Sequence, residues 1–282
     1  MVVLYKDIAK TAENILKDDY DFSRKLKIKS TSSNGVTFTT EGEMNANKSI
    51  LGKISASFKH YNTGLHIKRL QVNTQGRLTT EAELVNCGCH ALKLSAKTED
   101  GSKVKDPLAK RVGVLGYEYV KDNFAVDGQL DIGKRVVYQS GIFQKDNYRI
   151  GAQVGFGLEK NELVDHNVAL SYTDFEYAAT LQTKNKFSSL VGSFHHRASL
   201  RTIYSALFNY DVKSGANTLT VGGRYLADPW TEYAGKVESN GHISLALIQK
   251  LRPFVSLATS TSIDAKNFDG DGHKFGIALT LG

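Results

Sequence analysis

The chain has 282 residues, a net charge of +7 and a mildly polar mean hydropathy of −0.30. No run approaches the roughly 18 to 20 continuous apolar residues that a membrane helix needs, so helical spanning is excluded. The basic balance suits anionic partners such as nucleic acid, anionic lipid or metabolites, yet the Lys and Arg residues are dispersed rather than bunched into runs.

Leu4, Ile8, Ala12 and Ile15 recur at helical spacing, with Lys6, Lys10, Glu13, Asn14 and Lys17 on the other faces. They predict one amphipathic helix over roughly residues 5–17, ended by the polar stretch from Asp18 to Ser23. Such a helix could pack on a soluble core or be a cleavable presequence. Asp7 and Glu13 count against the presequence, because transit peptides are poor in acids. A retained helix lying in or over a pore fits best.

From about Lys25 onward the chain alternates with period two. Lys53, Ser55, Ser57 and Lys59 stand against Ile54, Ala56 and Phe58, and Phe275, Ile277, Leu279 and Leu281 all face one way. Successive strand residues point to opposite faces, so each segment has a greasy and a wet face. Strands are expected at 25–31, 35–43, 51–61, 64–73, 76–85, 91–98, 110–120, 123–132, 136–144, 148–159, 165–173, 175–184, 187–197, 201–211, 217–225, 230–239, 242–250, 253–263 and 273–281. Turn residues separate them, as at Asn34-Gly35, Ser214-Gly215 and Asn240-Gly241. With 25 Gly and only 3 Pro, the composition suits ladders in which every backbone N–H is paired.

This is how a transmembrane β-barrel reads, apolar toward lipid and polar toward a wet lumen. The expectation is an all-β membrane protein: residues 1–23 a helix and connector, residues 24–282 a 19-stranded barrel. An odd strand number closes only if the first and last strands pair in parallel. Strands about 4.8 Å apart and tilted about 40° give a backbone diameter of roughly 35–40 Å. Side chains and a helix leave a passage of about 10–20 Å, wide enough for nucleotides but not for folded proteins. No apolar core with a small-residue cleavage site marks a secretory signal, so the barrel is expected to be reached from the cytosol.

Catalytic and metal chemistry find little support. Cys87 and Cys89 flank a single glycine and read as incidental thiols. His195 and His196 are adjacent and so point to opposite faces of a strand. Gly155 and Gly157 are followed by no helix that could present a phosphate site. Asp264, Asp269 and Asp271 lack the ligand spacing of a calcium loop and read as turn residues. Trp230 with 13 Tyr and 13 Phe could supply an interfacial girdle. No cofactor, metal or primary nucleic-acid role is expected.

The chain resembles the mitochondrial voltage-dependent anion channel, or eukaryotic porin, family over essentially its whole length. The resemblance rests on Leu4-Tyr5-Lys6-Asp7-Ile8-Ala9-Lys10, on Leu115-Gly116-Tyr117-Glu118, on a block from Tyr225 through Asp228, Lys236, Val237 and Asn240 to Leu247, and on Gly272-His273-Lys274-Phe275-Gly276. It implies a passive pore of the mitochondrial outer membrane for ATP, ADP, phosphate and other small metabolites and ions. Anion preference in the open state and closure at high voltage of either sign are implied with it. Membrane lipids are implied partners, and the resemblance leaves room for a homo-oligomer and for cytosolic kinase-type partners.

Candidate anion contacts are Lys10 and Lys17 on the helix, and Lys25, Lys27, Lys29, Lys53, Lys59, Lys93, Lys97, Arg224, Lys236 and Lys274 on wet faces. Lys10 matches a helix lysine implicated in nucleotide contact in the family; Lys17 matches another with a one-residue offset. Lys274, Gly276, Leu279 and Leu281 are similar to the sorting signal of mitochondrial outer-membrane barrels. Two departures stand out. Asp18-Asp19-Tyr20-Asp21-Phe22 replaces the glycine-rich hinge of animal members, and Arg69-Leu70 stands where those members carry an outward acid on the fourth strand. A protein-translocation barrel of the same fold is the alternative, expected to show a longer N-terminal extension and an acidic lumen. A soluble β scaffold or lipid-binding protein is a third reading.

Overall fold

A computed structural model describes residues 2–44, 49–60, 62–85, 92–101, 111–270 and 272–282. Cys87, Cys89 and Asp271 lie outside the described residues. The strands are β1 (Arg24–Thr31), β2 (Thr37–Met44), β3 (Ile50–His60), β4 (Leu65–Asn73), β5 (Leu78–Val85), β6 (Leu92–Asp100), β7 (Arg111–Val120), β8 (Phe124–Asp131), β9 (Val136–Lys145) and β10 (Tyr148–Gly157). They continue as β11 (Glu162–Thr173), β12 (Tyr177–Lys184), β13 (Ser189–Arg197), β14 (Thr202–Asp211), β15 (Asn217–Asp228), β16 (Thr231–Glu238), β17 (His242–Arg252), β18 (Val255–Asp264) and β19 (Lys274–Leu281). Each expected segment is a strand, with its ends displaced by at most three residues.

Neighbours in sequence pair antiparallel around the sheet, and β19 closes it by pairing parallel with β1, from Arg24 opposite Ile277 to Ile28 opposite Leu281. Closure removes both sheet edges, so no ladder is left to meet lipid with unpaired groups. A bulge in β4 sets Lys68 and Arg69 together between Ile67 and Leu70. Leu70 faces outward and is 44% exposed, while Arg69 stands opposite Glu81 of β5. The outward face of β4 therefore carries Leu65, Ile67, Leu70 and Val72 and no carboxylate.

The N-terminal segment identifies the inner face. A 3-10 turn, Tyr5–Asp7, is followed through Ile8 and Ala9 by helix α1, Lys10–Lys17. This differs from the single helix expected over 5–17. The wall it lies on is curved, and the break lets two short pieces follow that curve. Val2, Leu4, Tyr5, Ile8 and Ala9 pack on Ala125 of β8, Ile142 of β9 and Ala169 of β11. Leu16, only 1% exposed, packs on Val191 of β13 and Leu207 of β14. Tyr20 then packs on Ala234 of β16 and Ala246 of β17. A segment of some twenty residues reaches so many strands only from the concave side. The register carries that inner face to every other strand, with Phe, Leu, Ile and Tyr side chains opposite it on the outside.

Candidate pore lining

Each basic side chain expected on a wet face lies on the inner face defined by the N-terminal segment. In β1, Lys25, Lys27 and Lys29 stand opposite Glu43, Glu41 and Thr39 of β2. Lys53 and Lys59 share one face of β3, and Lys93 and Lys97 share one face of β6. Arg224, Lys236 and Lys274 occupy inward positions of β15, β16 and β19. Lys10 and Lys17 are exposed on the side of α1 turned away from the wall.

Alternation did not reveal that most of these cations have a carboxylate beside them. Lys53 lies 2.9 Å from Glu43 and 3.5 Å from Glu41. Lys93 bridges Glu83 and Glu118, both at 3.1 Å, and Lys97 lies 2.9 Å from Glu99 and 3.6 Å from Glu81. Lys25 pairs with Asp21 and, at 3.5 Å, with Glu43. On the helix, Lys10 pairs with Asp7 at 3.0 Å and Lys17 with Glu13 at 3.2 Å. Lys236 meets Glu238 at 3.0 Å and stands 4.9 Å above the Tyr20 ring. Lys27, Lys29 and Lys274 have no ion pair among the described residues. The signal for these acids was present in the sequence: Glu41 and Glu43, like Glu81 and Glu83, are two apart and share the lysine face.

The two halves of the wall differ. From β8 to β19 the inner face is largely covered by the N-terminal segment and its connector. From β1 to β7 it is more open and charged, with Lys6 bridging Glu118 and Asp21 bridging Lys25 at its two ends. There Lys25, Lys27, Lys29, Lys53, Lys59, Lys68, Arg69, Arg77, Lys93 and Lys97 face Glu41, Glu43, Glu81, Glu83, Glu99 and Glu118, ten basic groups against six acidic among the described residues. The water-filled passage thus runs between this wall and the polar face of α1.

The covered half is built from small residues that pattern reading passed over. A Cβ on Gly151 would stand 3.0 Å from the Tyr5 ring, and one on Gly222 would stand 2.8 Å from Leu16 Cδ2. Inward Val191 and Leu207 look like lapses in alternation and are the floor beneath Leu16.

The family model described as "Eukaryotic porin" matches residues 2–276. The chain belongs to the eukaryotic porin family. Among curated relatives, the "Voltage-dependent anion-selective channel" of Drosophila melanogaster is 28% identical over 281 residues, 98% of each chain. The "Non-selective voltage-gated ion channel VDAC2" of Rattus norvegicus is 28% identical over 285 residues, covering 98% of this chain and 93% of the relative. The corresponding VDAC3 of Rattus norvegicus is 28% identical over 284 residues, 98% and 97% of the two chains.

In this porin the connector Asp18-Asp19-Tyr20-Asp21-Phe22 is fastened to the wall. Asp19 adopts a left-handed backbone with φ 70° and accepts a 2.6 Å hydrogen bond from Arg224 Nη2. The Arg224 Nε lies 2.8 Å from Glu232, a close charge contact whose N–H is not aimed at the oxygen. Burial pushes the Tyr20 hydroxyl up to about 12, with Arg224 pulling it down and Asp19 pushing it up. Burial likewise raises Tyr5 to about 12, and the Asp165 charge adds to it. For Asp21, burial opposes ionisation, but hydrogen bonds from Lys25 and Ser23 outweigh it and hold the carboxyl below its usual range.

Proposed function

We propose that this porin is a voltage-gated, anion-preferring diffusion pore of the mitochondrial outer membrane, a channel and not an enzyme, passing ATP, ADP, phosphate and other small metabolites and ions. The observation that carries this reading is the open β1–β7 wall with its ten-to-six excess of basic groups, faced by Lys10 and Lys17. An ion pair leaves only a dipole, whereas the unbalanced cations leave a net field. That field lowers the barrier to anions and raises it to cations. The screening length is about 8–10 Å near physiological salt, comparable with the half-width of a 10–20 Å passage, so wall charge acts on ions at its centre.

In this reading residues 1–23 are a separate element resting on the wall that residues 24–282 form, and the inward lysines named above, with Arg224, Lys10 and Lys17, are the anion contacts. Lys274, Gly276, Leu279 and Leu281 serve as the sorting signal, Lys274 and Gly276 pointing inward and Leu279 and Leu281 outward. The basic excess also weighs against the protein-translocation alternative, which requires an acidic lumen for basic presequences.

The test is the purified protein in a planar bilayer under a salt gradient. Stepwise conductance, an anion-selective reversal potential and closure at high voltage of both signs are expected. A cation-selective reversal potential, or no pores at all, overturns the proposal.

A further inference from the structure

One joint in the wall is made differently from its neighbours. The ladder between β11 and β12 holds five residue pairs, from Ala169 opposite Gln182 to Thr173 opposite Ala178. On either side the ladders run on, β10 with β11 to Gly157 opposite Glu162 and β12 with β13 to Lys184 opposite Ser189. The two strands therefore part before they end. Beyond Ala169, side chains take the place of backbone rungs. The Thr183 hydroxyl accepts from Val168 N at 2.9 Å and donates to Val168 O at 3.3 Å. The Asp165 carboxylate accepts from Lys186 N at 3.2 Å, from His166 N at 3.0 Å and from Asn167 Nδ2 at 2.8 Å. Asn185, Lys186 and Phe187 then adopt left-handed backbone with φ 55°, 59° and 61°, a strained conformation for residues other than glycine.

The seam is also thinly backed. His166 Nδ1 and Asn167 Oδ1 are buried and have no hydrogen-bond partner among the described residues. On the lumenal side a cavity of about 260 Å³ separates the seam from the N-terminal segment, its lining including Tyr5, Glu13, Gln153, Asp165, Asn167 and Gln182. Glu13 of α1 reaches across to Lys184 at 3.7 Å, the ion pair among the described residues that joins this helix to the wall, so movement of the seam reaches the helix. Elsewhere a change in the shape of the barrel breaks backbone rungs that lipid cannot replace. Here it only rotates the side chains of Thr183 and Asp165. Asp165, Lys184 and Lys186 place charge on the same few residues, so a transmembrane field acts on them directly. We propose that the β11–β12 seam is where the wall gives way when voltage closes the pore. This inference rests on the channel reading above.

The test compares Thr183→Val with Thr259→Val in the full-length protein. Both substitutions keep shape and charge. The first removes the two bonds to Val168, and the second lies in the unbroken ladders that join β18 to β17 and β19. In a planar bilayer Thr183→Val is expected to close at lower voltage of both signs, with open conductance unchanged. Its open-to-closed ratio at a fixed voltage should fall about tenfold, as for one lost hydrogen bond. Thr259→Val is expected to close as the unsubstituted protein does. In liposomes, backbone amides of the unsubstituted protein should exchange hydrogen faster at residues 165–168 and 183–187 than at residues 170–172 and 178–181. Equal closing voltages for the two variants, or equal exchange in those segments, overturns the proposal. No closure in the unsubstituted protein would instead count against the channel reading.

Discussion

Gly276 of β19 lies directly beneath the backbone of Asp21. A Cβ at position 276 would overlap the Asp21 carbonyl oxygen and stand 2.7 Å from Phe22 Cα, and Ser260 of the neighbouring strand donates to the same carbonyl. The glycine of the proposed sorting pattern is therefore also the seat of the connector, on the inner face, at the strand that closes the barrel. Its absence of a side chain has a folded-state reason independent of targeting.

That relationship gives the first prediction. Gly276→Ala is expected to lift the connector off β19 while leaving the ladder intact, because the clash is with backbone that cannot rotate away. Spin labels on Asp18→Cys should become more mobile in the variant refolded from denaturant, where no sorting machinery acts. Unchanged mobility would mean that the connector does not depend on this seat.

The helix itself is held by a few apolar contacts. Leu16 is nearly inaccessible, sitting on Val191, Leu207 and Gly222. Leu16→Ala removes that plug, at a cost of about 2–3 kcal/mol for a buried leucine beside a partly wet lumen. Backbone amides of α1 should then exchange roughly 30- to 150-fold faster, with strand amides little changed. Equal exchange would place the hold elsewhere, with Tyr5 and Tyr20 the next anchors to replace.

Acid should loosen the connector through Asp21. Its carboxyl titrates below the usual range in the folded protein because Lys25 and Ser23 outweigh the cost of burial. The stabilisation it supplies is fully present above the ordinary Asp value of about 3.9 and is lost as pH falls through the lowered value. Label mobility at position 18 should therefore rise only in that acidic window. Asp21→Asn should be mobile at neutral pH and lack the transition; a transition persisting in Asp21→Asn would assign it to another carboxylate.

The strands were legible because closure around water and lipid forces a two-residue period on nearly every segment, as in Lys25 to Lys29 and in Phe275 to Leu281. Their number even implied the parallel β1–β19 pair. The register was not legible, and with it which acid meets which lysine: Glu83 and Glu118 converge on Lys93 from strands on either side. Nor was the helix break at Ile8 and Ala9, since the apolar spacing of Leu4, Ile8, Ala12 and Ile15 runs through it. The curvature of the wall, a property of the closed sheet, sets that break.

Lumenal charge gives the sharpest test of the pore reading. Lys27 and Lys29 have no ion pair among the described residues, so reversing them disrupts no existing bridge there. Lys27→Glu with Lys29→Glu changes the β1–β7 wall from ten basic and six acidic groups to eight and eight. Anion preference should fall toward neutrality or invert, as the reversal potential across a salt gradient. The effect should be large at about 0.1 M salt, where the screening length is about 10 Å, and small at 1 M, where it is about 3 Å. Reversing Lys53, by contrast, would bring a third acid against Glu41 and Glu43 and disturb the wall as well as its charge. A double variant with unchanged selectivity at low salt would mean that ions do not pass along this wall.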